Sequence, residues 1–118
     1  MDLNLYVRDI PDFPQKGVVF KDITPLLKNP EAFAFVIDQL SRNFQNKEIN
    51  TVVSIESRGF IFGAALALKN GWSFVPVRKP GKLPYKSIRT SYTLEYGANV
   101  LEMHEDALDN FSRVLIID

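Results

Sequence analysis

The sequence predicts an α/β fold, a parallel sheet flanked by helices, and three observations indicate it. Residues 51–55 are rich in β-branched side chains and predict a buried strand. A polar turn at 56–59 and an Ala- and Gly-rich stretch at 60–68 follow, which predicts a helix that packs close to the sheet. Two more apolar runs, at 72–77 and 113–118, predict further strands. A strand, a turn and a helix in this order begin a βα unit, from which parallel sheets are built.

The turn Glu56-Ser57-Arg58-Gly59 predicts an anion site. In βα units, ligands usually lie at the carboxyl end of the strand, beside the helix N-terminus. The free N–H groups and the positive end of the helix dipole attract anions there, and Arg58 adds a guanidinium. A phosphate or pyrophosphate is the expected ligand. An ordinary turn, in which Glu56 and Arg58 form a surface ion pair, explains the same residues equally well.

Composition limits the class of protein. With 118 residues, 46% of them hydrophobic, the chain predicts one small domain with a packed core. The net charge of zero gives no indication of a nucleic-acid or membrane partner. The absence of cysteine excludes disulfides and thiolate zinc sites and fits a reducing cytoplasm. No apolar run reaches the roughly 20 residues of a membrane span, and the N-terminus does not resemble a signal peptide. We therefore expect a cytoplasmic protein.

The first 44 residues predict an irregular segment followed by a helix. Residues 1–28 carry three prolines and a short strand at 17–20, and we interpret them as an arm on the core; a planar base stacked on Phe20 is the less favoured alternative. Asn29 and Pro30 are typical of a helix start. The apolar residues after them recur at three- and four-residue steps: Phe33, Val36, Ile37, Leu40 and Phe44. We assign this helix a structural role only.

A basic run at 78–89 contains five cations and no acid. Its glycine and two prolines exclude a regular helix, so we expect a mobile loop that leaves the strand at 72–77. A charge run in isolation is usually solvated surface. Parallel strands, however, bring their carboxyl ends to one edge of a sheet, which predicts that this loop and Arg58 form a common polyphosphate site.

The last third of the sequence predicts a β-hairpin and a final strand. The hairpin strands are expected at 92–96 and 100–103, with a turn at 97–99. Residues 113–118 show little polar alternation and predict a central strand that places Asp118 at the functional edge. His104 is the only histidine, which argues against a metal site or a catalytic triad, and we interpret it as structural.

Four segments then carry a resemblance to a known family. They are residues 13–25 (FPQKGVVFKDITP), 56–63 (ESRGFIFG), 77–84 (VRKPGKLP) and 92–97 (YTLEYG). In this order and spacing they resemble the adenine phosphoribosyltransferase family, a group of type I phosphoribosyltransferases, over residues 11–118. The resemblance implies a single domain over 1–118, with a hood that binds the base at 1–28 and a flexible catalytic loop and β-hairpin at 78–103.

The resemblance also implies a reaction and its residues. The family transfers the phosphoribosyl group of 5-phosphoribosyl 1-pyrophosphate to adenine in purine salvage, giving AMP and pyrophosphate, with Mg²⁺ bound mainly through the phosphoribosyl pyrophosphate. It implies a homodimer and a non-proline cis peptide just before Arg58. The implied substrate-binding residues are Val19, Phe20, Lys21, Ser57, Arg58, Arg78, Lys79, Lys82 and Asp118, and the implied catalytic residues are Glu95, Tyr96 and Arg58. No residue is assigned as a metal ligand.

The sequence departs from the family after the apolar strand at 113–118. Members continue with a second Asp, a Thr- and Gly-rich loop around the 5-phosphate, a helix and the last strands of the sheet, whereas this sequence stops at Asp118. We therefore expect the 118 residues to lack the 5-phosphate loop and to be inactive alone. Two non-catalytic alternatives remain, a purine- or nucleotide-sensing module and an oligomerisation module of the same fold. Turnover of adenine to AMP separates the enzyme from both.

Overall fold

The computed structural model describes residues 1–94 and 97–118. The chain divides into two compact units, Met1–Arg42 and Asn43–Asp118. None of the described helices is both long enough and apolar enough to cross a membrane.

The first unit contains more regular structure than the sequence predicts. A 3₁₀ turn covers Leu3–Tyr6, β1 covers Arg8–Pro11, β2 covers Val19–Asp22 and α1 covers Thr24–Lys28. β1 and β2 are antiparallel, with Arg8 opposite Asp22 and Asp9 opposite Lys21. Both pairs are salt bridges, 3.1 Å from Arg8 Nε to Asp22 Oδ2 and 2.6 Å from Lys21 Nζ to Asp9 Oδ1. The prediction of an irregular segment is wrong because cross-strand ion pairs stabilise these short strands, and hydrophobic periodicity does not reveal such pairs.

Helix α2, Pro30–Phe44, confirms the predicted helix. The Asn29 side chain accepts a hydrogen bond from the Ala32 backbone N–H at 2.9 Å, which is the expected cap. All five residues of the predicted apolar stripe are buried or partly buried, and Ile37 is the most buried of them. The helix thus begins where the cap residue predicts and turns its apolar stripe away from water.

The second unit is built on a parallel sheet, as the sequence predicts. Its elements are β3 Thr51–Ile55, α3 Arg58–Asn70, β4 Ser73–Val77, β5 Ser87–Leu94, β6 Gly97–His104 and β7 Val114–Ile117. β3 lies between β4 and β7 and is parallel to both. Val53, Val75 and Val77 form the buried cluster at the centre of this unit. Pro76 fits in β4 because β4 is an edge strand of this three-stranded sheet.

Residues 113–118 contain the predicted strand, β7, and its central position in the sheet stays a prediction. Among the described residues β7 pairs with β3 alone, and Ile116 is 64% exposed. β3 takes the central position, and its residues 51–54 are all buried. An apolar run without alternation therefore identified a sheet strand correctly.

Helix α3 follows β3 as predicted, and its small residues lie against the sheet. The helix ends at Gly71, whose φ of 70° is the left-handed conformation expected there. Gly63 lies directly over Ser54 of β3, so that a Cβ at position 63 would collide with the Ser54 hydroxyl. The Ser54 hydroxyl is fully buried and finds no hydrogen-bond partner among the described residues. Helix and sheet thus approach more closely here than any side chain at 63 would permit.

The strands of the hairpin are longer than the sequence predicts. β5 and β6 pair antiparallel, with Leu94 opposite Gly97. The expected turn at 97–99 is wrong, because these residues belong to β6. Residues 87–89, expected in the mobile loop, belong to β5. The turn was predicted because glycine is common in turns, but Gly97 lies in β6 with φ of 134°. Residues 87–89 were not predicted as a strand because their sequence is mostly polar. The predicted domain, hood and loop boundaries otherwise stay predictions.

We predict that Gly63→Ala lowers the free energy of unfolding by about 1–3 kcal/mol, because the added methyl group overpacks the contact with Ser54. Ser54→Ala removes the hydroxyl that the methyl group meets. The double variant should therefore lose less stability than the sum of the two single variants. Urea unfolding of all four proteins measures this coupling, and strict additivity would contradict the close approach of α3 to β3.

Candidate functional site

The carboxyl ends of the three parallel strands lie at one edge of the sheet. Ile55 of β3 is opposite Val77 of β4, and Ser54 is opposite Ile117 of β7. The polar segments that follow these strands, Glu56–Arg58, Arg78–Lys82 and Asp118, therefore leave the sheet at the same edge. This is the arrangement expected from the sequence, and it is where ligands bind in open α/β sheets.

The start of α3 is packed onto the end of β7. A Cβ at Gly59 would lie 2.5 Å from the Ile117 carbonyl oxygen and 3.2 Å from the Asp118 Cα atom. These are backbone atoms, so only glycine fits at position 59. The close approach brings the segment that carries Arg58 beside Asp118. Arg58 and Asp118 are both exposed.

The turn before α3 contains a cis peptide bond between Glu56 and Ser57. The resemblance implied a cis bond just before Arg58, and the structure has it one bond earlier. The Ser57 side chain is exposed and does not cap α3. The Phe60 N–H donates to the Ser57 carbonyl oxygen at 3.1 Å, but the Ser57 side chain caps none of the first-turn N–H groups. The N-terminus of α3 therefore remains suited to an anion.

The carboxylate of Glu56 is bound by the basic loop. It accepts hydrogen bonds from Lys82 Nζ at 2.7 Å, the Lys79 backbone N–H at 2.8 Å and Arg78 Nε at 3.3 Å. Its side chain is only 7% exposed. The hydrogen bond from Lys82, followed by that from the Lys79 N–H, lowers the pKa of Glu56 to about 2, so the group is ionised at neutral pH.

These contacts overturn the interpretation of the turn as an ordinary surface ion pair. Glu56 pairs with Arg78 and Lys82 of the loop and not with Arg58. Within the described part of the chain, the Arg58 side chain makes no ion pair at all. A guanidinium at a helix N-terminus, without an acidic partner, favours an external anion.

Arg78 is held from a second side as well. Its guanidinium lies over the Phe60 ring of α3, with Cζ 6.0 Å from the ring centroid. Phe60 in turn packs edge-on against Phe74 of β4, with 5.8 Å between the ring centroids. The first residue of the loop is thus fixed by both a carboxylate and an aromatic face.

A second buried carboxylate, Glu102 of β6, binds the same loop. It accepts hydrogen bonds from the Gly81 backbone N–H and from Arg89 Nη2, each at 2.9 Å. The backbones of Arg78 and Glu102 also exchange two hydrogen bonds, of 2.9 and 2.7 Å. The loop expected to be mobile is therefore tied to the sheet at residues 78, 79, 81 and 82.

Sequence reasoning missed the functions of these two acids. Glu56 entered only as a partner of Arg58, and Glu102 was assigned no role. A correct hairpin register would have revealed the second contact, because Arg89 lies directly opposite Glu102. No comparable signal exists for Glu56, whose partners lie 22 to 26 residues away.

The expected base-binding residues Val19, Phe20 and Lys21 lie in β2 of the first unit, and all three are exposed. Phe20 packs edge-on against Phe13, with 5.2 Å between centroids, beside an open cavity of about 250 Å³. Lys21 is paired with Asp9. The expected catalytic residues Glu95 and Tyr96 lie outside the described residues. Among those described, no group of three or more acidic or histidine side chains forms a metal cluster.

Comparison with known proteins decides the family. No protein-family model matches the chain. A curated relative, adenine phosphoribosyltransferase of Thermosipho melanesiensis, is 59% identical over all 118 residues, which cover 67% of the relative. The chain belongs to the adenine phosphoribosyltransferase family. It spans about two thirds of the length of the relatives it matches.

Solved structures agree with this membership. The crystal structure of adenine phosphoribosyltransferase from Thermoanaerobacter pseudethanolicus has a TM-score of 0.92 and 47% identity, over 97% of this chain and 66% of that one. The enzyme from Saccharomyces cerevisiae, complexed with an imino-altritol bisphosphate and adenine, has a TM-score of 0.89 and 41% identity, over 98% of this chain and 68% of that one. The expected type I phosphoribosyltransferase fold is confirmed.

We predict that Lys82→Met raises the pKa of Glu56 from about 2 toward its ordinary 4.5, because the Lys82 hydrogen bond is the largest cause of the lowering. The folded pKa of Glu56 lies below the unfolded one. Glu56 therefore stabilises the fold above pH 4.5, and this stabilisation is lost as the pH falls toward 2. A carbon-detected NMR titration of the Glu56 carboxyl measures the midpoint.

The control is Lys86→Met, which removes a loop lysine that makes no ion pair within the described residues. It should leave the Glu56 midpoint where it is. If the two variants moved the midpoint equally, the effect would be one of general charge and not of the Lys82 contact.

Proposed function

We propose that this chain carries the base-binding and pyrophosphate-binding parts of an adenine phosphoribosyltransferase. The reaction is transfer of the phosphoribosyl group from 5-phosphoribosyl 1-pyrophosphate to adenine, giving AMP and pyrophosphate. Family membership supports the reaction class. The observation that carries the assignment to a site is the meeting of Arg58, the basic loop and Asp118 at one edge of the sheet.

The charges at this edge suit the departure of pyrophosphate. The bond between the anomeric carbon and a pyrophosphate oxygen breaks, and a bond from a ring nitrogen of adenine to the same carbon forms. Negative charge collects on the leaving group as the anomeric carbon becomes cation-like. Arg58 and the side chain of Lys79, which have no acidic partner within the described residues, neutralise that charge. Asp118, at the end of β7, contacts the ribose hydroxyls.

Adenine is assigned to β2, with Phe20 beneath the ring and Val19 and Lys21 at its edge. The exposed Phe20 ring and the cavity beside it support this assignment. The yeast relative was solved as a complex with adenine. Adenine loses a ring proton when its nitrogen is alkylated, and the carboxylate of Glu95, beside Tyr96, is proposed as the base that receives it.

Mg²⁺ is the proposed cofactor, held mainly by oxygens of the phosphoribosyl pyrophosphate. The exposed carboxylate of Asp118 is a hard oxygen donor at this edge of the sheet and fits such an ion. When bound, Mg²⁺ neutralises charge on the leaving group. We also propose a homodimer, which the resemblance supports, and a cytoplasmic location, which the absence of cysteine supports.

The competing candidate is a non-catalytic purine-sensing or oligomerisation module. Conversion of labelled adenine to AMP by the full gene product, with the 118 residues assayed alongside, separates the two. Nucleotide binding without turnover by the full gene product would support the sensing module.

We predict that Arg58→Ala in the full gene product raises the KM for phosphoribosyl pyrophosphate by roughly tenfold or more, because a charge-assisted contact to an anion is lost. Adenine affinity should change less than about twofold, since the base is assigned to another strand. The matched control is Arg113→Ala, which removes an exposed arginine at the opposite end of β3. Equal loss for both substrates would count against the role assigned to Arg58.

A further inference from the structure

Glu56 binds residues of the basic loop and none of its own turn. Its three hydrogen-bond donors are Arg78 Nε, the Lys79 N–H and Lys82 Nζ, all within five consecutive residues. We call residues 78–82 the loop root. The Glu56 side chain is only 7% exposed, so its carboxylate has little contact with water while the loop is docked.

The buried position makes undocking costly. If the loop root moved away, Glu56 would lose all three of these hydrogen bonds, and hydrogen bonds to a charged acceptor contribute more to stability than neutral ones. Gly81, with φ of 83°, and the adjacent Pro80 give the root no regular structure of its own. The order of the loop root therefore depends on contacts with other segments, and Glu56 accepts three hydrogen bonds from it.

Docking by Glu56 leaves the Lys79 ammonium free. The Lys79 backbone N–H is used in the contact with Glu56, whereas its side chain is exposed and has no ion pair within the described residues. Glu56 itself precedes Ser57 and Arg58 in the chain. The same carboxylate thus fixes the position of the loop lysine relative to the start of α3.

We propose that Glu56 is a positioning residue for pyrophosphate binding, which holds the loop root docked beside Ser57 and Arg58 before substrate arrives. This inference rests on the proposed function of the edge. If the loop root is already ordered before the substrate binds, less conformational entropy is lost during binding, and the affinity for the substrate is higher. Glu56 touches no substrate in this proposal and acts through Arg78, Lys79 and Lys82.

The first test needs no substrate. Hydrogen exchange of the ligand-free full gene product is compared between wild type, Glu56→Gln and Glu48→Gln. Glu48 is an exposed glutamate at the opposite end of β3, so its variant controls for loss of one carboxylate charge. We expect the Lys79 amide to exchange about tenfold faster in Glu56→Gln, because a bond to a charged acceptor is weakened. The Gly81 amide, which donates to Glu102, should retain more protection.

The second test is kinetic. Glu56→Gln should raise the KM for phosphoribosyl pyrophosphate about tenfold and leave the KM for adenine within about twofold, since preorganisation concerns the pyrophosphate alone. Glu56→Asp keeps the charge and should recover part of this loss. If Glu56 merely stabilised the fold, Glu56→Gln would raise the KM values for both substrates alike. The charge kept in Glu56→Asp would then restore neither KM value.

The proposal is overturned if the Lys79 amide exchanges equally in Glu56→Gln and Glu48→Gln, or if the two KM values rise together. It is also overturned, without any variant, if the wild-type Lys79 amide exchanges as fast as that of Leu83, which donates no hydrogen bond within the described residues. Absence of turnover in wild type would refute the proposed function, whereas the exchange experiment would still test whether Glu56 orders the loop.

Discussion

The parallel register of β3 with β4 and β7 determines where the charged groups of the second unit lie. Because the three strands end at the same level, the segments after them leave the sheet together. Glu56, Arg78 and Asp118 are the first residues after their strands. A shift of one strand by two residues would move its polar segment by about 7 Å, which exceeds the length of any hydrogen bond seen here. Hydrophobic packing of the strands thus fixes the distances on which the electrostatics depend.

The helix that follows β3 depends on the same packing. Gly63 lets α3 lie directly on Ser54, and Gly59 lets its first turn lie on the backbone at Ile117 and Asp118. Both glycines have ordinary backbone conformations, so space and not φ explains them. The two contacts, one turn apart, orient the N-terminus of α3 toward the ends of the strands. The glycines of the turn and helix therefore belong to the site as much as its charged residues do.

The sequence predicted those parts of the structure that follow from local chemistry. The cap at Asn29 and the strands β3 and β4 all appear within a residue or two of their expected positions. The rule that ligands bind at the carboxyl edge also placed Arg58, Arg78 and Asp118 together. What failed depends on pairing between distant segments. The β1–β2 pair and the hairpin register each follow from partners that no local pattern encodes.

The charges of the basic loop show why composition alone misjudged it. Five cations without an acid indicated a mobile, uniformly positive loop, yet two acids from other segments enter it. Glu56 neutralises Arg78 and Lys82, and Glu102 neutralises Arg89. The two remaining lysines are the ones left without an ion pair within the described residues. The buried carboxylates thus divide the cations into those that order the loop and those available to an anion. This division, more than the number of positive charges, determines which cations at this edge of the sheet can bind a ligand.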